Sequence, residues 1–155
     1  MYAIDTDKFQ VLLFASPGNI PCNVGTHSWF VINNYGTLSR WEILFRTIDH
    51  PPCWGHLYKN FFPMFQGIEI FPYLEVFFWK SRLLGQTEGA PAQNLAAFIE
   101  RSPGAYPYLR RFVITGPNSN TYIQWVLDHF PQFPAKLPWN AFGKGYPVRE
   151  STTLP

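Results

Sequence analysis

Apolar positions fall first into short, nearly continuous runs closed by turn residues, and later into helical spacings. Val11, Leu12, Leu13, Phe14 and Ala15 stand together and are followed by Ser16, Pro17, Gly18 and Asn19, which predicts a strand over residues 9–15. Residues 26–32 are rich in β-branched and aromatic side chains and close on Asn33, Asn34, Tyr35 and Gly36, so a second strand ends in a turn. Residues 41–45 read as its antiparallel partner across a connection short enough for a hairpin. Between Asp49 and Pro72 the chain is dense in Pro, Gly and aromatics without periodicity, which predicts a packed irregular excursion. Another strand is expected over residues 73–80.

The period then changes. Leu95, Phe98 and Ile99 lie at helical spacing behind Pro91, and Pro103-Gly104 stops the pattern, predicting a helix over 91–102. Residues 112–115 read as a short strand. Gly116-Pro117 then turns the chain into a second helix that carries Tyr122, Ile123, Val126, Leu127 and Phe130 and stops at Pro131. From Pro134 onward an ordered loop pinned by aromatics is expected. Strands first and helices mainly later point to an α+β fold with an antiparallel sheet packed against helices, and residues 1–155 read as a single domain.

Composition narrows the classes. Apolar residues make up 46% of the chain and charged ones only 14%, which excludes a disordered tail or a coiled coil. Twelve basic and ten acidic residues give a net charge of +2 without a long run, so no nucleic-acid footprint is visible, and the pair Arg110-Arg111 is too small to make one. Asp5 and Asp7 precede the first apolar run, which lacks the basic start and length of a signal peptide. The most apolar stretch, residues 68–79, is broken by Glu69, Pro72 and Glu75 and is too short to span a bilayer. A cytoplasmic, reducing location is therefore expected. Cys22 and Cys53 leave a disulfide open, although a domain with an ample core does not need one.

Candidate chemistry concentrates at Gly116, Pro117, Asn118, Ser119, Asn120 and Thr121. A tight turn with polar residues opening a helix gathers side chains and free N–H groups at the positive end of a helix dipole, where an anion or a developing oxyanion is favoured. Ser119 is a nucleophile if a base reaches it. Asn and Ser are also preferred N-caps, so the same residues suit plain capping. His27, opening a strand of core residues, is the base candidate and equally suits a satisfied structural residue; Glu42 on the neighbouring strand suits the carboxylate that orients an imidazole, although taken alone it reads as a solvated strand-face residue.

Other groupings carry less. His50, Cys53 and His56, with Cys22, offer soft ligands, but their spacing is not that of a zinc knuckle, and no metal or cofactor is expected. Gly143-Lys144-Gly145 lacks the rest of a phosphate-binding loop. The abundant aromatics are needed mainly as core.

In order, His27-Ser28-Trp29, Trp41-Glu42, Tyr106-Pro107-Tyr108, the hexapeptide 116–121, Leu137-Pro138 and Gly143-Lys144 resemble a bacterial domain family of unknown function with the same Gly-Pro-Asn-Ser-Asn-Thr string. The resemblance spans about residues 22–147. That family is distantly similar to the circularly permuted papain-like proteins, which include NlpC-type cell-wall amidases and lecithin retinol acyltransferase-like enzymes. In them a His opens an early strand and an Asn-Cys pair opens a later helix. Asn118-Ser119 stands in the place of Asn-Cys, so a hydroxyl replaces the thiol. The resemblance implies a permuted papain-like fold and a hydrolase or acyl-transfer-like site on an amide or ester. In that site Ser119 attacks, His27 takes the proton, Glu42 orients His27, and Asn118 or the helix N–H groups stabilise the oxyanion. A catalytically silent module that holds a peptide, glycan or acyl group in the same cleft remains open beside it.

Overall fold

A computed structural model describes residues 4–18, 24–46, 50–68 and 81–149. Among them the strands are β1 (Phe9–Pro17), β2 (Thr26–Asn34), β3 (Thr37–Ile43), β4 (Cys53–Trp54), β5 (Leu57–Lys59) and β6 (Arg82–Glu88). Helix α1 (Ala90–Arg101) runs into a 3-10 turn, Ser102–Gly104, and α2 (Ser119–His129) follows. The strands form one antiparallel sheet in the order β4-β5-β3-β2-β1-β6.

The continuous apolar runs have a simple cause: the two central strands are covered on both faces, so neither face needs polar residues. Val11, Leu13, Phe30, Ile32, Trp41 and Ile43 pack with Leu95 and Ile99 of α1 and with Tyr122, Ile123 and Val126 of α2. Their alternating neighbours Leu12, Phe14, Trp29 and Val31 form a second cluster, against Met64, Phe65 and Leu83. The sheet therefore has a helix face and an outer face, and side-chain alternation assigns each strand residue to one of them.

The β2–β3 hairpin turns at Tyr35 and Gly36, both with positive φ. Its second strand starts at Thr37 and ends at Ile43, earlier at both ends than the expected 41–45, and Phe45 is exposed. Helix α1 matches its expected span to within a residue at each end, with Pro in its first turn and Ala92, Leu95, Ala96 and Ile99 buried.

Other expectations are corrected. Residues 112–115 are not a strand: Val113 N bonds Pro117 O at 2.8 Å and Gly116 N bonds Val113 O at 2.9 Å, so the backbone satisfies itself in a turn and leaves Val113 and Ile114 exposed. The excursion after Asp49 contains β4 and β5, which extend the sheet beyond β3. Edge strand β6 pairs with β1 and has no counterpart in the expected elements. The expected strand over 73–80 lies outside the described residues. No helix among the described residues is long and apolar enough to cross a membrane.

Candidate functional site

The start of α2 is a dense hydrogen-bond junction. Asn118, in extended backbone, accepts at its side-chain oxygen from Asn120 N at 3.0 Å and Thr121 N at 3.2 Å. Its own N–H donates to Thr121 Oγ1 at 3.1 Å, closing a capping box. Its amide nitrogen donates to Ile114 O at 2.7 Å and to Phe142 O at 3.0 Å. Asn120 Nδ2 donates to Thr26 O at 2.7 Å and to the same Phe142 O at 3.0 Å, while Thr121 Oγ1 donates to Gly143 O at 2.7 Å. Gly143 has φ +90°, and a Cβ there would overlap the Asn118 amide. Only glycine lets the 142–143 backbone approach the cap this closely.

The hexapeptide thereby divides. Asn118, Asn120 and Thr121 tie the helix to the 142–143 backbone and to the start of β2. Ser119 is buried in the first helical turn, and its hydroxyl has no hydrogen-bond partner among the described residues. The N–H groups of Asn120, Thr121 and Tyr122 are also engaged, the last to Asn118 O at 3.1 Å. Ser119 N–H is the donor of that first turn left for a ligand or oxyanion. Both hydrogens of the Asn118 amide go to carbonyls, so its side chain has no donor to offer an oxyanion.

His27 lies at the start of β2 on the outer face, alternating with Ser28 and sharing its side with Trp29, whose indole stacks on the imidazole at 5.7 Å and 24°. His27 Nε2 is 2.7 Å from Glu42 Oε2. A carboxylate only accepts, so the hydrogen sits on Nε2, and Nδ1 becomes the basic nitrogen. Glu42 also faces Arg40: Nη2 donates to Oε2 at 2.7 Å, and Nε lies 2.7 Å from Oε1, off the hydrogen-bonding direction, so that second contact is coulombic.

Burial pushes the Glu42 carboxyl up, but the Arg40 charge and the hydrogen bonds from His27 and Arg40 outweigh it and hold the group below the ordinary carboxylate range. Burial lowers the Arg40 guanidinium, opposed by Glu42. Arg40 is fixed further by Pro63 O at 2.6 Å and Gln66 O, and it lies 4.1 Å over the Trp29 ring.

The structure thus brings His27 and Glu42 together. Asn120 joins the first turn of α2 to Thr26, the residue before His27, yet no hydrogen bond links Ser119 to His27, and the His27 ring is on the sheet face turned away from the helices. Sequence reasoning missed Arg40. Its signal was the Arg-x-Glu spacing, which places Arg40 and Glu42 on one face of a strand.

Among the described residues no three His, Cys, Asp or Glu side chains group to hold a metal. His56 Nδ1 contacts Leu44 O at 2.9 Å, and the His50 ring packs on Phe61 at 5.0 Å. Cys22 lies outside the described residues. Lys144 Nζ donates to Leu137 O at 3.2 Å and Pro138 O at 2.8 Å, bracing the loop before it.

No curated protein and no solved structure matches the chain. A family profile does, over residues 8–146, and on that match the chain belongs to the family described as protein of unknown function, DUF3750.

Proposed function

We propose that the chain is a permuted papain-like domain with a hydrolase or acyl-transfer-like site for an amide or ester. The observation that carries this reading is the 2.7 Å contact between His27 Nε2 and Glu42 Oε2. It fixes one tautomer and leaves Nδ1 as a base, the task a carboxylate performs in a triad. Ser119 is the nucleophile, and His27 Nδ1 takes its proton. Ser119 N–H, at the positive end of α2, stabilises the oxyanion. This step requires the His27 ring, which lies on the outer face of the sheet in the free protein, to come within reach of Ser119 in the substrate complex.

A serine-directed fluorophosphonate, followed by peptide mapping, tests this. Labelling at Ser119 that is lost in His27→Ala, with unchanged circular dichroism, is expected. Absence of labelling across pH 6–9 overturns it.

One observation favours a second reading, a catalytically silent module that binds a ligand through the same residues. In the free protein Ser119 has no hydrogen bond to His27, whose ring faces the outer side of the sheet. Unlabelled Ser119 in a protein that still binds a ligand is the outcome that selects it.

A further inference from the structure

Pro131 cannot continue α2, and the chain after it folds back in short steps: Phe133 N bonds Phe130 O at 2.9 Å and Ala135 N bonds Phe133 O at 2.8 Å. Further on, Tyr146 N bonds Gly143 O at 3.0 Å in another turn. With α2 from Thr121 onward, these two segments wall a groove of about 1200 Å³. Phe130, Phe133, Leu137, Tyr146 and Val148 make much of the wall apolar, and neither Ser119 nor His27 lines it.

Lys144 brings a charge into this setting. Its partly buried ammonium has three hydrogens to donate, and Leu137 O at 3.2 Å and Pro138 O at 2.8 Å take two of them. Among the described residues no carboxylate forms an ion pair with it or with Lys136, the exposed lining residue beside Leu137. Carbonyls solvate a cation without neutralising it, and a charge drawn out of water is attracted more strongly by an opposite charge than one left in it. The carboxylate that does line the groove, Asp128, is exposed in the last turn of α2 and takes the Gln124 amide at 2.8 Å. His129 is turned back on the helix, with Nδ1 on Trp125 O at 2.8 Å and its ring against Phe98 at 4.6 Å. Beyond the wall Arg149 is exposed, and Glu150 lies outside the described residues.

We propose that this groove binds an amphipathic monocarboxylate, with its apolar body against Phe130, Phe133 and Tyr146 and its carboxylate on the remaining hydrogen of Lys144. Two features select this class. An amine meets the like charges of Lys136 and Lys144 and finds one carboxylate, already hydrogen-bonded, at the end of α2. A phosphate is held by several converging donors, whereas Lys144 has one hydrogen left and the Gln124 amide is engaged. The groove is separate from the Ser119–His27 site, so neither reading depends on the other.

Isothermal titration of the full chain with 4-phenylbutyrate, 4-phenylbutanol, 4-phenylbutylammonium and inorganic phosphate tests this, since the first three differ in the head group alone. Saturable binding of the carboxylate is expected, at least about tenfold tighter than of the other three and weakened about tenfold or more in Lys144→Met, the size of one hydrogen bond to a charged group. Lys144→Met also strips the donor from two carbonyls, so Lys136→Glu, at an exposed side chain without a bonded partner, serves beside it and is expected to weaken binding about threefold or more. No saturable binding, equal or tighter binding of the alcohol, the ammonium or phosphate, or unchanged affinity in a Lys144→Met that keeps its circular dichroism overturns the proposal. Where Lys144→Met loses that signal, Lys136→Glu decides, and unchanged affinity there overturns it.

Discussion

At the scale of single residues, the informative group is Glu42. It is fully buried and answers two partners, His27 and Arg40, at 2.7 Å each. Removing one member of a buried pair leaves the other charge uncompensated, which costs about 3–5 kcal/mol. Glu42→Gln is therefore expected to lower stability by about that amount at neutral pH, measured by urea unfolding. The pH dependence follows from the sign of the shift. The folded carboxyl titrates below its ordinary value, so its stabilisation is complete above the unfolded pKa of about 4.3 and is lost as pH falls through the lower folded value. The stability gap between the natural protein and Glu42→Gln closes across that acid window. A gap that widens toward acid would show that Glu42 is not charged in the folded state.

At the scale of elements, the first turn of α2 suited two readings, capping and chemistry, that sequence alone could not separate, because both use the same residue types. The hydrogen bonds separate them. Asn118→Ala loses a cap worth about 1 kcal/mol and strips the side-chain donor from Ile114 O, costing about 1–3 kcal/mol where it stays unsatisfied, and one of the two donors on Phe142 O, which keeps Asn120. A loss of about 2 kcal/mol or more is expected in thermal or denaturant unfolding. Ser119→Ala, which deletes a hydroxyl without a partner, is expected to change stability by less than about 0.5 kcal/mol. Equal losses for the two variants would mean that Ser119 is part of the clamp. Gly143→Ala should resemble Asn118→Ala or exceed it, since its Cβ meets the Asn118 amide at a φ that side chains disfavour.

At the scale of the whole molecule, legibility followed locality. The apolar runs of β1 and β2, the hairpin, α1 and α2 were readable because their patterns and stop signals lie within the elements themselves. Strand β6, Arg-Leu-Leu-Gly-Gln-Thr-Glu, was not, because an edge strand with only partly buried side chains carries neither a continuous run nor clear alternation. Phe112, Val113 and Ile114 misled in the other direction: β-prone side chains stand where Pro117 and Gly116 bend the backbone into its own hydrogen bonds. In the site, neighbouring strands left a His27–Glu42 pairing open beside a solvated Glu42, and the burial of Glu42 corrects the latter, whereas the loop 137–144 depends on contacts between distant segments. The loop was expected to be pinned by aromatics. Tyr146 does pack on Tyr108 at 5.6 Å, but side-chain amides, hydroxyls and Lys144 hold the rest, and Trp139 is left outside.

That last contrast yields a test of whether the helix start, the loop and the strand start act as one body. Thr26 is held through its carbonyl by Asn120 at 2.7 Å and through its N–H and hydroxyl by Asn140 at 3.0 Å, and the two asparagines come from segments that meet again at Phe142. Residues that share a partner in this way are coupled by about 0.5–3 kcal/mol, whereas independent sites add to within about 0.3–0.5 kcal/mol. The stability losses of Asn120→Ala and Asn140→Ala, taken singly and together by urea unfolding, should therefore fall short of additivity by about 1 kcal/mol, because once either clamp is gone the loop holds Thr26 less firmly for the other. Simple additivity would mean that the loop is held independently at each end and that the strand start and the helix start do not act as one body.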